Sequence, residues 1–186
     1  MSDTKTDTSN PELLVKEKLD ELISFRNSTE SMHEFWAKQY DLGLAWVQFP
    51  TGTGGLDLNP NFQLMINETL RKEGISINNR IANILGIGMG APTIAEFGTE
   101  EQKNKYLRPM FAAEEIWCQM FSEPGSGSDL ASLSTKAVDD GDGYIVNGQK
   151  VWTTLGHLAK WGLLVARTDP NVPKHRGLTF FIVDME

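Results

Sequence analysis

Residues 122–129 combine three serines, two glycines and one proline, without a large apolar side chain. Consecutive backbone N–H groups in such a loop can surround an anion, and serine hydroxyls can donate hydrogen bonds to phosphate oxygens. A flexible linker between domains would have a similar composition. Because Pro124 stiffens the loop, and because Glu123 and Asp129 could tether it, we predict a shaped turn with the donors of an anion site.

A second candidate segment follows further along the chain, where Trp152 precedes Thr153 and Thr154. An indole next to two hydroxyls can stack on a planar ring and hydrogen-bond to its heteroatoms. A single tryptophan is more often a core residue than a cofactor contact. We therefore assign a function to residues 152–154 only together with residues 122–129.

Other patterns that resemble known sites are interpreted as structural. Gly86, Gly88 and Ala91 have the spacing of a loose dinucleotide fingerprint, but their flanks are helical rather than strand and turn. We expect these glycines to allow close helix packing, or else to leave room for a long apolar ligand. The acidic residues 139–143 lack the spacing of a calcium loop and predict a turn. The three histidines are too widely separated to argue a catalytic set, and we expect no metal site.

The predicted secondary structure that carries these segments changes from helices to strands near residue 117. Before it, apolar residues recur at helical spacing, and helix starts are marked by Asn10-Pro11, by Asn59-Pro60 and by a capping box of Thr99 with Gln102. The predicted helices cover residues 12–25, Ser28 or Thr29 to Gly43, 60–72, a largely buried segment over 75–97 broken near Pro92, and a short helix from Thr99 through Leu107. Residues 49–55 are expected to be irregular.

After residue 117 the pattern is that of short strands separated by turns. The predicted strands cover residues 135–138, 144–146, 149–154, 163–168 and 178–185. Asn147-Gly148 is a strong hairpin signal, so residues 149–154 are expected to pair back on residues 144–146. Helices followed by antiparallel strands indicate an α+β fold.

The resulting domain prediction has three parts. We expect a disordered N-terminus over residues 1–10, a helical domain over residues 11–117 and an antiparallel β-domain over residues 118–186. The last predicted strand ends beside the final residue, which would leave an apolar strand in an unfinished sheet. We therefore expect a truncated β-domain.

The composition excludes several classes of protein. The chain has 186 residues and a formal net charge of −8, which opposes nonspecific binding to nucleic acid or to anionic membranes. No run approaches the ~20 apolar residues of a membrane-spanning helix, and residues 1–10 lack the regions of a signal peptide. The single cysteine, Cys118, cannot form an internal disulfide. We expect a soluble cytoplasmic protein that acts on small molecules.

The two candidate segments and their surroundings resemble the acyl-CoA dehydrogenase family. The resemblance covers roughly residues 12–186. It is based on motifs in the family's order: Phe49-Pro50 with Gly54-Gly55, Phe97-Gly98-Thr99 with Gln102, residues 122–129, Gly141-x-Gly143-Tyr144-x-x-Asn147-Gly148-x-Lys150-x-Trp152-Thr153, and Ala166-Arg167-Thr168.

In this family, FAD lies between the middle β-domain and a C-terminal four-helix domain, which has no counterpart in this sequence. The resemblance implies that Ser122 contacts the isoalloxazine ring, that Ser128 lies at the pyrophosphate and near the acyl-CoA, and that the Thr154 hydroxyl lies near the flavin N5. It also implies that Gly86 and Gly90 border the acyl tunnel. The complete set of implied flavin contacts is Gln119, Met120, Phe121, Ser122, Gly127, Ser128, Trp152, Thr153 and Thr154.

The implied reaction is the α,β-dehydrogenation of an acyl-CoA thioester, with an electron-transfer flavoprotein or a similar acceptor and with a homodimeric or tetrameric enzyme. The family's catalytic base is a Glu of the C-terminal domain, so we expect no catalytic residue in this chain and no activity of the chain alone. Glu123 is interpreted as a loop anchor. Three alternatives stay open: a non-catalytic subunit that pairs with a base-bearing partner, a flavin oxidase or hydroxylase on the same scaffold, and a non-enzymatic helical interaction protein.

Overall fold

The computed structural model describes residues 10–76 and 82–186. The chain divides into two compact units, Met1–Glu114 and Glu115–Glu186. The predicted disorder of residues 1–10 falls, apart from Asn10, outside the described residues. No helix in the described ranges is both long enough and apolar enough to cross a membrane.

The first unit is helical, as predicted. Its helices are α1 (Pro11–Arg26), α2 (Met32–Asp41), α3 (Asn61–Lys72), α4 (Ala91–Phe97) and α5 (Glu100–Phe111), with a π-helical segment, Gly86–Gly90, leading into α4. The side chains that these helices bury include Val15, Leu22, Phe35, Ile66, Leu70, Leu107 and Phe111.

Side-chain caps mark the starts of α1, α2 and α5. The capping box before α5 is confirmed, since the Gln102 N–H donates to Thr99 Oγ1 over 3.2 Å and the Thr99 N–H donates to Gln102 Oε1 over 2.9 Å. Helix α2 begins later than predicted, because Ser31 is its N-cap. The Ser28 hydroxyl instead donates to the carbonyl of Phe25 at the end of α1.

The irregular segment after α2 contributes to the core of this unit. Trp46 is buried there, with its ring edge-on to Phe111 at a centroid distance of 4.9 Å and stacked on Phe49 at 5.2 Å. Gly54 has φ +84°, and a Cβ at this position would lie 2.6 Å from the ring of Tyr40. A residue without a side chain is therefore required where this segment passes over the ring.

The predicted buried helix over residues 75–97 differs from the structure in two respects. Residues 77–81 lie outside the described part of the chain. Pro92 does not break the helix: Gly90 and Ala91 before it have helical backbone angles, and the chain passes there from π-helical to α-helical geometry. The segment is also only partly buried, since Ile84 and Phe97 are exposed.

The second unit is a five-stranded sheet of β1 (Trp117–Met120), β2 (Lys136–Asp139), β3 (Tyr144–Asn147), β4 (Trp161–Arg167) and β5 (Leu178–Asp184). Strand β4 pairs along its whole length with β5 in antiparallel register. It runs parallel to β1 and, at Lys136 opposite Arg167, parallel to β2. The α+β class is confirmed, but the sheet is mixed rather than purely antiparallel.

The predicted hairpin at Asn147-Gly148 is wrong. Strand β3 pairs with the preceding β2, and the turn between them is the acidic segment 140–143, where Gly141 has φ +96°. Gly148 lies against Thr135, whose Oγ1 would be 2.2 Å from a Cβ at position 148. The glycine therefore serves a close approach rather than a two-residue turn, and residues 148–153 leave the sheet as irregular chain.

Candidate functional site

The segment 122–129 folds as a closed turn immediately after β1. Glu123 and Ser126 exchange backbone hydrogen bonds of 2.9 and 3.1 Å, which places Pro124 and Gly125 at the tip. The Ser126 hydroxyl donates to the carbonyl of Asp129 over 2.7 Å. The predicted shaped turn is confirmed, and the linker alternative is excluded.

A buried carboxylate holds this turn against β2. Glu123 is 7% exposed, and its Oε2 accepts from the N–H and the hydroxyl of Ser134, both over 2.7 Å. Its Oε1 accepts from the Thr135 N–H over 2.9 Å and from Lys150 Nζ over 3.0 Å. Burial by itself would raise the pKa of this carboxyl, but the hydrogen bonds from Thr135 and Ser134 outweigh it and hold the pKa well below its usual range.

The second candidate segment is bonded directly to the first. Lys150 Nζ donates to the carbonyl of Phe121 over 3.0 Å, in addition to its contact with Glu123. The Val151 N–H donates to the carbonyl of Ser122 over 2.9 Å. The structure thus brings together the two segments that the sequence analysis singled out, and we call residues 121–129 the first arm and residues 148–155 the second arm.

Trp152 is held in an unusual state on the second arm. Its side chain is 89% exposed and its φ is +58°, a conformation that costs a bulky residue of order 1 kcal/mol or more. Leu155, three residues later, also has a left-handed backbone with φ +65°. An exposed indole has a flat face on which a planar group can stack.

The first arm offers hydrogen-bond donors to an anion. Gly127 and Ser128 are exposed, and within the described ranges no protein acceptor is bonded to their N–H groups. The carboxylate of Asp129 is paired with Lys174 Nζ at 2.6 Å and accepts from the Ser132 hydroxyl, and these contacts lower its pKa. The lysine offsets the negative charge next to the arm, so that an anion is less strongly repelled.

The remaining predicted contacts are divided between the two faces of the sheet. Met120 and Thr153 line a cavity of about 550 Å³ together with Leu164. Gln119, the neighbour of Met120 in β1, is half-buried and points to the opposite face, because side chains alternate along a strand. Phe121 packs edge-on against Phe180 at a centroid distance of 6.2 Å. The side chains of Gln119 and Met120 therefore cannot both contact one ligand.

The glycines predicted to border a substrate lie in the helical unit. A Cβ at Gly86 would be 2.9 Å from Met110 Cγ, so this glycine permits close packing on α5, and Gly90 is also buried. Gly88 faces open space and lines an apolar groove of about 540 Å³ with Trp46. A π-helical segment of this kind often marks a functional site.

Sequence reasoning predicted the tethering by Glu123 and Asp129 but assigned no role to Lys150, Ser134 or Thr135. Lys150 was visible only as one position in the family pattern. Ser134 and Thr135 carry no local signal, because their contact with Glu123 depends on how the sheet folds. Within the described ranges no cluster of metal-ligating side chains is found.

The donors of the two arms fit a flavin nucleotide. A pyrophosphate requires N–H and O–H donors, and Gly127 and Ser128 supply N–H groups that have no acceptor among residues 10–76 and 82–186. A flavin ring requires a flat apolar surface with polar atoms at its edge, and the exposed Trp152 with the neighbouring Thr154 hydroxyl has that chemistry.

Comparison with known proteins covers nearly the whole chain. Residues 12–114 match the family described as "Acyl-CoA dehydrogenase, N-terminal domain", and residues 118–186 match "Acyl-CoA dehydrogenase, middle domain". The acyl-CoA dehydrogenase FadE34 of Mycobacterium tuberculosis is 46% identical over 145 residues, which cover 78% of this chain and 20% of that protein.

Solved structures show the same fold. The ChsE4-ChsE5 complex from Mycobacterium tuberculosis matches with a TM-score of 0.63 and 34% identity, over 96% of this chain and 48% of that chain. The G363A variant of the Tcur3481-Tcur3483 steroid ACAD (acyl-CoA dehydrogenase) matches with a TM-score of 0.65 and 28% identity, over 95% and 49%. The chain thus spans about half the length of these solved relatives and a smaller share of FadE34.

Proposed function

Because the chain belongs to the acyl-CoA dehydrogenase family, we propose that its sheet unit forms one wall of a FAD site used to oxidise an acyl-CoA thioester. The observation that carries this proposal is the direct bonding of the two arms, through Val151 to Ser122 and through Lys150 to Phe121. It joins the segment that carries Trp152 and Thr154 directly to the segment that carries Ser122 and Ser128, which supports a shared site.

In the proposed reaction the thioester loses a proton from Cα and a hydride from Cβ, leaving a Cα–Cβ double bond. FAD, when bound, supplies the hydride acceptor and is reduced. Ser122 and Thr154 would donate hydrogen bonds to the polar edge of the ring, Trp152 would cover the ring, and Gly127 and Ser128 would bind the pyrophosphate. Met120 and Thr153, which line one cavity, would extend the proposed wall with their side chains, whereas Gln119 and Phe121 would contribute only backbone atoms. Ser128 would also approach the acyl-CoA.

Glu123 is unsuited to accept the α-proton. Its carboxylate already accepts from four donors and is buried, and its pKa lies well below the usual range, so it has little affinity for a proton. We propose that the base is supplied by a polypeptide segment other than residues 1–186. This observation keeps the non-catalytic subunit with a base-bearing partner as a second candidate.

For the helical unit we propose a role in binding the acyl group. The groove beside Gly88 is lined mainly by apolar residues, including Trp46 and Ile87. The glycine lets a ligand approach the π-helical backbone, and we include Gly86 and Gly90 as the residues that set its position. Because one solved relative is described as a steroid enzyme, a steroid-bearing CoA thioester is a suitable probe besides linear acyl-CoAs. We further propose a homo-oligomer that passes electrons to an electron-transfer flavoprotein or a similar acceptor.

The test is an anaerobic titration of the FAD-loaded chain with acyl-CoAs, followed by the visible flavin absorbance. We expect a shift of the spectrum without bleaching from the chain alone, and bleaching only when a base-bearing polypeptide is present. Bleaching by the chain alone would contradict the assignment of the base to another segment. Turnover of NADH and oxygen with a substrate that is not a CoA thioester would support a hydroxylase instead.

Substitutions paired with control variants test which residues contact FAD or acyl-CoA. Trp152→Ala is expected to alter the spectrum of bound flavin, whereas Phe97→Ala, which removes an 81% exposed ring from the helical unit, is not. Ser128→Ala is expected to weaken binding of FAD or acyl-CoA. Ser132→Ala is its control, because it removes an exposed hydroxyl that is already bonded to Asp129.

A further inference from the structure

The Glu123–Lys150 ion pair differs from the other ion pairs of the described ranges in its burial. Its side chains are 4% and 8% exposed, whereas every other pair has at least one partner that is 45% exposed or more. The mechanism proposed above gives neither residue a chemical step. A buried pair of this kind is often no more stable than well-packed apolar residues of the same volume. Stability alone therefore does not explain why this ion pair is buried here.

We propose that Lys150 is a positioning residue that holds the second arm against the first, so that Trp152 and Ser122 face the same ligand. This proposal rests on the FAD site proposed above. In it, Glu123 is the fixed anchor and Lys150 connects the second arm to it.

The anchor is fixed because both carboxylate oxygens of Glu123 accept from backbone N–H groups of the two residues that precede β2. Ser134 and Thr135 donate their N–H groups over 2.7 and 2.9 Å, and Thr135 is buried. The carbonyl of Thr135 in turn accepts from the N–H of Arg167 at the end of β4 over 2.8 Å. Glu123 is thereby connected to the centre of the sheet.

The second arm needs such a connection because it has no strand partner. Residues 148–153 belong to no helix or strand. Lys150 donates to Glu123 Oε1 and to the carbonyl of Phe121, each over 3.0 Å, and the next residue, Val151, donates to Ser122. All three hydrogen bonds end in the first arm. Trp152 follows directly, so loss of the ammonium group removes two of the three hydrogen bonds that hold the indole beside the first arm.

The test compares Lys150→Met with Ser134→Ala in the full chain. Lys150→Met removes both lysine hydrogen bonds, whereas Ser134→Ala removes one hydrogen bond to the same carboxylate and leaves the second arm attached. FAD affinity is measured by equilibrium titration at a temperature where both variants are folded. Hydrogen exchange of the Val151 amide is measured on the same samples without FAD.

For Lys150→Met we expect the FAD dissociation constant and the Val151 exchange rate each to rise about tenfold or more, equivalent to about 1.4 kcal/mol. For Ser134→Ala we expect both to stay within about threefold, even where its midpoint of unfolding falls, because both hydrogen bonds of Lys150 to the first arm remain. A residue that only stabilised the fold would leave FAD affinity unchanged below the unfolding transition.

Lys150→Met leaves Glu123 buried without its cation and could unfold the unit. Glu123→Gln/Lys150→Met, which removes both charges, then gives the same two measurements. A Val151 amide that stays protected in the folded variant overturns the positioning role, whether or not FAD binds. Failure of the wild-type chain to bind FAD would instead count against the proposed function, and the exchange measurement would still decide the role of Lys150.

Discussion

Gly148→Ala tests the packing that places the second arm beside the sheet. A Cβ at position 148 would lie 2.2 Å from Thr135 Oγ1, 2.6 Å from Thr135 Cβ and 2.7 Å from Thr135 Cα. Real Cβ contacts are essentially never shorter than 3.0 Å. Since one of the three atoms is backbone, rotation of the threonine side chain cannot relieve the overlap.

The expected loss in the free energy of unfolding follows from the two backbone hydrogen bonds of Thr135. Its N–H donates to Glu123 and its carbonyl accepts from Arg167, so displacement of its backbone weakens contacts on both sides. Overpacking of a well-packed site costs about 1–3 kcal/mol, and we expect the upper part of that range, about 2–3 kcal/mol. With a urea dependence of about 2 kcal/mol per molar, the midpoint of unfolding should fall by about 1–1.5 M.

The assay is urea unfolding followed by circular dichroism, with Gly143→Ala as the control. A Cβ at Gly143 meets no atom within 4 Å, so its free energy of unfolding should be unchanged or raised by less than about 1 kcal/mol. Both variants lose the same chain entropy of glycine, and their difference isolates the clash. Equal midpoints for Gly148→Ala and Gly143→Ala would refute the close approach to Thr135.

Three further predictions concern stability and pH. Thr99→Ala removes the cap of α5 and should lower the free energy of unfolding by about 1 kcal/mol in the same urea assay, and no loss would show that the capping box is not formed. Burial, with a smaller contribution from Asp41, raises the pKa of Tyr40 to about 12 from a model-compound value of 10.0. The unfolded chain therefore ionises first, and the free energy of unfolding should fall by up to about 2.7 kcal/mol between pH 10 and 12, a loss that Tyr40→Phe should lack. The pKa of Glu123 lies below its ordinary value of 4.5, so its stabilisation is present at neutral pH and is lost as the pH falls below that value. Glu123→Gln should be less stable by about 3–5 kcal/mol at pH 7, and a gap that did not narrow in acid would contradict this assignment.

Local signals in the sequence predicted those parts of the fold that local interactions determine. The N-cap at Asn10 and the capping box at Thr99 involve contacts within three residues, and both are present. The start of α2 was misplaced because Ser28 and Ser31 are equally good caps by composition. Only the packed structure shows that the Ser28 hydroxyl is used by the end of α1.

The errors in the sheet arise from contacts between residues distant in sequence. Asn147-Gly148 has the composition of a hairpin turn, but the approach of Gly148 to Thr135 takes precedence. The parallel pairing of β1 with β4 joins Trp117 to Trp161, and no local pattern encodes it. A mixed sheet could not be distinguished from an antiparallel one on strand patterns alone.

In the candidate site, too, the local turn was predictable and the contacts between distant residues were not. The small-residue composition of residues 122–129 was sufficient to predict a shaped turn, and Pro124 lies at its tip. The partners that fix the turn, Ser134 and Lys150, are separated from Glu123 by 11 and 27 residues. Their role became visible only when the fold placed three segments around one carboxylate.

An equilibrium titration of the wild-type chain with FAD, compared with Trp152→Ala and Ser128→Ala, tests directly whether the two arms form a flavin wall. We expect the wild-type chain to bind FAD. Loss of the indole should change the spectrum of the bound flavin, and loss of the Ser128 hydroxyl should weaken binding. No binding by the wild-type chain, or binding that neither variant alters, would contradict the assignment of the two arms as a flavin wall.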